Sequence, residues 1–348
     1  MYQKIPLKPH PTGWYVLSAS DELKKGEIKS RKFCGKDIII FRTASGKACV
    51  SDAHCPHMGA HFGHGGSVEG ETVKCPFHHF CFDTHGNCTA TGYGTKPSPK
   101  MKLGIWHYRE KNGFIICWFD EEGREPFWEV PDIDNNGFSK ILTVDLDLRS
   151  HPQETTENSV DIGHFSIVHG YLDVDVLKPL YTQEQYLTSQ YTVRRKSKFL
   201  GVRSLVLTNF TVHVWGLGYS FVEVDLPELG IKTRQYVFPS PTTDNKVNLK
   251  LGMSIKIVDA SKMSPILKLM PPDFLAGLVL PTAFKDYCKD VKQDFDVWEN
   301  KIYIDPPALA KGDGPVAQYR IWCRQFYSVD KEVNNGMMQQ SESKLTAA

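Results

Sequence analysis

The sequence has almost no net charge, no long apolar run and no regular cysteine framework, and each absence closes a class of function. Its 41 basic and 40 acidic residues leave a formal charge of +1, so nothing electrostatic draws the chain to phosphate backbones or anionic membranes. The longest apolar stretches, such as Phe274 to Leu280, run for seven residues, far short of the roughly 20 that span a bilayer. The opening MYQKIPLKPHPTGWY turns polar and proline-rich at once and does not read as a secretory signal. Nine cysteines, odd in number and irregularly spaced, argue against a disulfide scaffold and for a reducing, cytoplasmic compartment. Nucleic acid and a membrane span are therefore set aside, and some of the thiols need another task.

At 348 residues the chain is long enough for two compact domains. Residues 14–50 and 72–118 alternate apolar and polar positions between glycine turn signals, which predicts short antiparallel strands. A charged, proline-containing connector, DEEGREPFWEVPDID, follows. Beyond it the texture is mixed: a helix over Glu154 to His169, alternating strands over 200–257, and helix again over 282–303. The expectation is an α+β fold with a β-rich N-terminal domain over 1–125, a second domain over 126–335, and a polar, flexible tail over 336–348.

The sharpest signal is Cys55-Pro56-His57, then 17 residues, then Cys75-Pro76-Phe77-His78. Two thiolates and two imidazoles can hold a [2Fe–2S] cluster, Cys55 and Cys75 on one iron, His57 and His78 on the other. The same donor set can hold zinc, but zinc fingers pair Cys with Cys and His with His along the chain, whereas here each loop carries one of each. His54, His61, His64, His79 and His85 read as surface or supporting residues, and Cys81 and Cys88 as packed small side chains.

A second constellation lies in Asn158-Ser159-Val160-Asp161-Ile162-Gly163-His164, continuing to His169-Gly170. Asp161 and His164 share a helix face at a spacing of three. His164 and His169, five apart, would diverge on an ideal α-helix and need a π-type bulge or a helix end to converge. Two histidines with one carboxylate would leave open positions on ferrous iron. The segment Lys292 to Glu299 offers Asp294, with Asp290 and Asp296 as rivals.

In these residues the chain resembles the Rieske non-haem iron oxygenases, from Gly13-Trp14-Tyr15 to Arg324-Gln325-Phe326-Tyr327. The N-x-x-D-x-x-H-x-x-x-x-H pattern from Asn158 to His169 matches their catalytic signature. Ala60 and Phe77 stand where respiratory Rieske proteins carry an extra disulfide, and His79 stands where many oxygenases carry glycine. Pro152-Gln153-Glu154, Glu157-Asn158, His169-Gly170 and Asp294 to Tyr303 look most like 3-ketosteroid 9α-hydroxylase oxygenases and cholesterol 7-desaturases.

That resemblance implies a helix-grip (START-like) catalytic domain with an antiparallel sheet, and Asp294, in Q-D-x-x-x-W, as the third iron ligand. Catalytic roles fall to Asn158 and Asp161. Asp161 would bridge His164 to a cluster histidine of the next subunit in a head-to-tail homotrimer. O2 would be the co-substrate. Because the chain lacks a G-x-G-x-x-G strand-to-helix fingerprint, electrons from NAD(P)H would arrive through a separate flavin or iron–sulfur reductase, possibly by way of a ferredoxin. An apolar steroid or sterol is the expected small-molecule substrate, hydroxylated or desaturated. Aromatic acids, amines and alkaloids are the other substrates, and an electron carrier without catalytic iron is the other class.

Overall fold

The computed structural model describes residues 5–199, 202–262 and 269–328; the tail expected over 336–348 lies outside the described residues. The N-terminal strands are β1 (Gly13–Ala19), β2 (Ile28–Phe33), β3 (Lys36–Arg42), β4 (Ala48–Asp52), β5 (Ser67–Glu69), β6 (Thr72–Lys74), β7 (Cys81–Asp83), β8 (Cys88–Ala90), β9 (Tyr108–Lys111) and β10 (Phe114–Phe119). They form three small sheets, ordered β1-β10-β9, β2-β3-β4 and β5-β6-β7-β8. The expected strands over 14–50 and 72–118 are thus present. Their alternating apolar residues fill two cores, and the one containing Ile39, Phe41, Phe62 and Phe82 also buries Cys55 and Cys75.

The second half is organised by one antiparallel sheet. Its strands are β11 (Leu142–Leu148), β12 (Leu172–Gln183), β13 (Tyr186–Phe199), β14 (Val202–Trp215), β15 (Tyr219–Leu226), β16 (Ile231–Thr243) and β17 (Lys246–Ile257), in the order β11-β17-β16-β15-β14-β13-β12. Strands β12 and β13 lie before the predicted strand region. Their charged residues, as in DVDVLKPLY and YTVRRKSKF, hide the period-two signal, and β12 is mostly exposed at the sheet edge. The connector is not a free linker: Trp128 and Val130 are buried in a core that joins Trp14, Phe114 and Trp118 to Tyr219, Phe221, Tyr236 and Phe238 of the large sheet. Fully buried Lys250 on β17 adds a tie, pairing with Glu22 at 2.9 Å and Asp145 at 3.0 Å.

The helices are α1 (Pro152–Glu157), α2 (Gly163–Ile167), α3 (Pro272–Val291), α4 (Phe295–Asn300) and α5 (Val316–Cys323). The single helix expected over Glu154 to His169 is therefore two short ones with a turn between. Proline at the first turn and the His151 ring, which accepts from the Gln153 amide at 3.1 Å, start α1. It stops because Val160 is wholly buried and the Ile162 amide donates to the Asp313 carbonyl at 3.2 Å. Gly314 makes that approach possible, since a Cβ there would meet the Val160 carbonyl oxygen at 2.3 Å. Helix α3 begins at Pro272 rather than 282, packs Leu275, Ala276, Val279, Leu280 and Tyr287 inward against the sheet, and leads through a turn to α4. Truncating wholly buried Leu275 to alanine would cost about 2–5 kcal/mol.

Candidate metal centres

The first centre is held by two loops of the same construction. In one, between β4 and β5, the Cys55 amide donates to the Ala60 carbonyl at 2.8 Å and the Gly59 amide to the Cys55 carbonyl at 2.8 Å; in the other, between β6 and β7, Cys75 and Phe80, then His79 and Cys75, make the same pair at 2.8 and 3.1 Å. Both loops turn through a left-handed residue, Gly59 at φ +77° and His79 at φ +55°. The missing glycine therefore leaves the loop path intact and places strain on His79.

These loops bury the Cys55 and Cys75 thiols and set the His57 and His78 rings 4.8 Å apart, with His57 stacked on Phe80. Burial, then the neighbouring Cys75, push the Cys55 thiol up to about 12. Nδ1 of His78 is buried without a hydrogen-bond partner among the described residues. A buried thiol pair and an orphaned imidazole nitrogen fit a group that binds thiolates and neutral imidazoles together, displacing the thiol protons. All nine cysteines are free; Cys81 and Cys88, both partly buried, sit on β7 and β8.

The second centre is assembled from distant elements. Ligand atoms of His164, His169 and Asp294 lie within 4.8 Å of one another, a grouping found nowhere else among the described residues. His164 lies on α2 and Asp294 in the turn between α3 and α4. His169 follows the end of α2, where the His164 carbonyl accepts from the Val168 amide at 2.8 Å and the His169 amide at 3.4 Å. The convergence of two histidines five apart thus comes from a helix end. His169 Nε2 faces an Asp294 oxygen at 3.6 Å, while Nδ1 donates to Oε1 of Gln293 at 3.0 Å. The ring Nδ1 of His164 donates to the Asp161 main-chain carbonyl. Each ring has Nδ1 engaged, which fixes its tautomer and leaves Nε2 as the available donor.

The supporting contacts differ in part from expectation. The Asp161 carboxylate accepts from the His164 main-chain amide at 3.2 Å, with the ring nitrogen 4.0 Å away, because the turn brings backbone rather than ring to it. Its side chain keeps 37% exposure, and burial raises its pKa. Asn158 bonds to Asp294 and accepts from Trp298 Nε1 at 3.3 Å. Burial, opposed by His169, lifts Asp294 to about 6. His164 is held down to about 4 by burial and then by His169. Asp290 sits on the other side of His169, 3.7 Å from Nδ1, and accepts from the Tyr171 hydroxyl. Asp296 is exposed. Gln293 and Tyr171 had no role assigned from sequence; adjacency to Asp294 was the available signal for the first, and the second had none.

A cavity of about 140 Å³ opens on these three side chains, walled by Phe165, Phe210, Val212, Phe221, Val222 and Val237. It adjoins a larger one of about 630 Å³ beneath α3, and His169, Tyr171, Gln235, Tyr287 and Asp290 line both. Phe210 and Val212 of β14 line the smaller cavity, and Leu278 and Val279 of α3 the larger.

Residues 13–100 match the Rieske [2Fe-2S] domain, and residues 117–327 match the 3-ketosteroid 9alpha-hydroxylase C-terminal domain. The chain belongs to the family of Rieske oxygenases that includes the 3-ketosteroid 9α-hydroxylases. This Rieske oxygenase is 29% identical over 341 residues to cholesterol 7-desaturase nvd 1 of Ciona intestinalis, covering 91% of this chain and 69% of that protein. It is 26% identical over 344 residues to the oxygenase component of 3-ketosteroid-9-alpha-monooxygenase of Rhodococcus rhodochrous, covering 96% and 85%. Its fold matches Pseudomonas putida CBB5 NdmA with caffeine at a TM-score of 0.68, with 18% identity and 89% of each chain covered. Dicamba monooxygenase bound to dicamba matches at 0.63, with 16% identity, 90% of this chain and 96% of that one. The Rieske oxygenase is an oxidoreductase with a [2Fe–2S] cluster, mononuclear iron and O2 as co-substrate. Among the described residues no helix is long and apolar enough to cross a membrane.

Proposed function

We propose that this Rieske oxygenase is the terminal component of a multicomponent system that oxidises a C–H bond of an apolar polycyclic substrate, a steroid or sterol first. A separate reductase, fed by NAD(P)H, supplies the electrons. The observation that carries the reading is the convergence of His164, His169 and Asp294 at the wall of an apolar cavity. Two of the similar proteins are named for a 3-ketosteroid and for cholesterol, which supports the choice of substrate class.

In this reading residues 1–125 carry the cluster on Cys55, His57, Cys75 and His78, and residues 126–335 carry ferrous iron on His164, His169 and Asp294. When bound, the cluster supplies electrons singly and the iron supplies open positions for O2 beside the substrate. Hydroxylation balances as RH + O2 + 2e⁻ + 2H⁺ → ROH + H2O. Asn158 orients the Asp294 carboxylate, and Gln293 keeps the His169 Nε2 directed at the iron position. The aromatic wall of Phe165, Phe210 and Phe221 excludes water and orients the ring system.

In the same reading the partly exposed Asp161 carboxylate accepts from a cluster histidine of a neighbouring subunit in a head-to-tail trimer. Apolar side chains supporting such a joint are exposed at both ends: Met58, Phe77 and Tyr93 near the cluster histidines, and Ile167 and Leu172 beside α2.

Single-turnover product analysis of chemically reduced holoprotein under O2 tests the proposal, using a panel of steroids, sterols and aromatic acids. An oxidised steroid or sterol is expected. Oxidation of the aromatic acids alone overturns the substrate class, and electron transfer without any oxidised product overturns the oxygenase role.

A further inference from the structure

The larger cavity contains a cation that the oxygenase reading does not use. Arg195, on β13, lines it beside Lys196. The other largely buried arginines on the sheets and helices each hold a carboxylate: Arg42 has Glu110 at 2.7 Å, Arg234 has Glu223 at 2.9 Å and Arg320 has Glu157 at 2.7 Å. Arg195 has no ion pair among the described residues. Its Nε reaches Thr208 Oγ1 at 3.4 Å, its guanidinium lies 5.9 Å from the Phe210 ring centre, and it bonds to Tyr171. A half-buried guanidinium without a counter-charge bears a desolvation cost that a bound anion would offset.

The surroundings define the rest of the ligand. Leu226, Ile231, Met253 and Ile255 of the sheet and Leu278 and Val279 of α3 form an apolar wall. Along β16 two polar groups interrupt it: Thr233, whose buried Oγ1 has no partner among the described residues, and Gln235, at the waist shared with the smaller cavity. The acids facing the space are Asp286 and Asp290, and Asp290 is already engaged by Tyr171. Lys289 of α3 faces it as well. Arg195, beside Tyr171 and Phe210 of the smaller cavity, thus stands where the two spaces adjoin, with Lys196 and Lys289 as the other cations facing the larger one. At about 630 Å³ the outer space lies within the range of small-molecule sites.

We propose that the outer cavity is a recognition subsite for an anionic group, a carboxylate or a sulfate, borne on the part of an apolar substrate that extends beyond the smaller cavity, with Arg195 as its counter-charge. Lys196 adds positive charge beside it, and Thr233 and Gln235 bond neutral oxygen substituents of the same ligand. The inference rests on the reading that the oxidised carbon of the substrate occupies the smaller cavity.

The test uses the holoenzyme and matched ligands: a steroid with a side-chain carboxylate against its methyl ester, and a sterol sulfate against the free sterol. Dissociation constants come from equilibrium dialysis, and turnover is measured in parallel. At least one anion should bind about 10- to 100-fold tighter than its neutral partner, the usual weight of a charge-assisted contact. Which pair shows the preference tells carboxylate from sulfate. Arg195→Gln should bring that ratio close to one, and Arg195→Lys should restore part of it. A purely structural Arg195 would weaken both members alike and leave the ratio unchanged, which overturns the proposal. Equal binding of anion and neutral partner by the wild-type enzyme overturns it without any variant. Oxidation of both members with no preference sinks the subsite and keeps the oxygenase reading. Tight, Arg195-dependent binding of an anion that is never oxidised keeps the subsite and sinks the placement of the reacting carbon.

Discussion

The proposed cluster cradle takes all of its donors from the span Cys55 to His78, on two loops that repeat the same pair of backbone hydrogen bonds, whereas the proposed iron triad joins a helix end near His169 to a turn at Asp294 from far along the chain. The cradle is local, so its geometry survives whatever the second half of the chain does. The triad exists only when α2, α3 and the sheet are packed together. The two also differ in electrostatics: in the cradle burial raises a thiol, Cys55, while in the triad burial raises one group, Asp294, and lowers another, His164. Local centres announce themselves by spacing, and assembled centres by depth and convergence.

Substitution at each centre should separate them most sharply. Asp294→Ala is expected to abolish turnover and remove the mononuclear iron while leaving the cluster's visible absorption intact; Cys75→Ser should remove the cluster absorption outright. Iron quantification beside the visible spectrum reads both. Loss of the cluster in Asp294→Ala would show that the cradle is not independent of the triad.

Asp161→Asn comes next. Both metals should remain, and product formation after reduction should slow about 10- to 100-fold, the size of effect seen for side chains that orient metal-bound histidine. Rapid-mixing single turnover measures it, and an unchanged rate would remove Asp161 from the electron path.

A pH titration probes the opposed shifts. Asp294 has a folded pKa of about 6 against an ordinary value of 3.8, so folding retains its proton and, for this group alone, stability falls as pH rises from about 4 to 6. His164 has a folded pKa of about 4 against 6.5, so folding excludes its proton and stability rises over nearly the same interval. In iron-free protein the two nearly cancel. In the proposed triad iron binding requires the Asp294 carboxylate, so Fe(II) affinity should fall about tenfold per pH unit below pH ~6. An iron dissociation constant that climbs as pH falls below about 6 is the expected pattern, read by equilibrium titration with Fe(II).

The smallest effect is in the cradle. His79→Gly relieves a left-handed non-glycine backbone and should raise unfolding stability by about 1 kcal/mol, read from the urea midpoint, with the cluster spectrum unchanged.

The same contrast explains what sequence could supply. The Cys/His pairs proposed to hold the cluster were visible because two tight loops present Cys and His at short spacing. The strands through β10 were visible because their apolar runs are short and bounded by glycine turns, with β1, β3, β4 and β10 buried along nearly their whole length. The break between α1 and α2 was not, since it depends on Val160 burying itself and on the Asp313 carbonyl, contributed from far along the chain. Strands β12, at the sheet edge, and β13, beside it, were obscured by their charged residues. Among Asp290, Asp294 and Asp296 the spacing alone offered no choice; in three dimensions they separate into a residue on the Nδ1 side of His169, one on the Nε2 side and one at the surface. The opposition of Gln293 to His169, and of Arg195 to an apolar wall, required the packed sheet.

Paramagnetic resonance of the reduced holoprotein treated with nitric oxide addresses both centres in one sample. The expected spectrum contains the signal of a mixed Cys/His diiron cluster together with a high-spin ferrous-nitrosyl signal, and the second alone disappears in Asp294→Ala. A spectrum lacking the ferrous-nitrosyl signal in the wild-type protein, or one in which that signal survives Asp294→Ala and is lost in Asp290→Ala, would contradict the assignment of the triad.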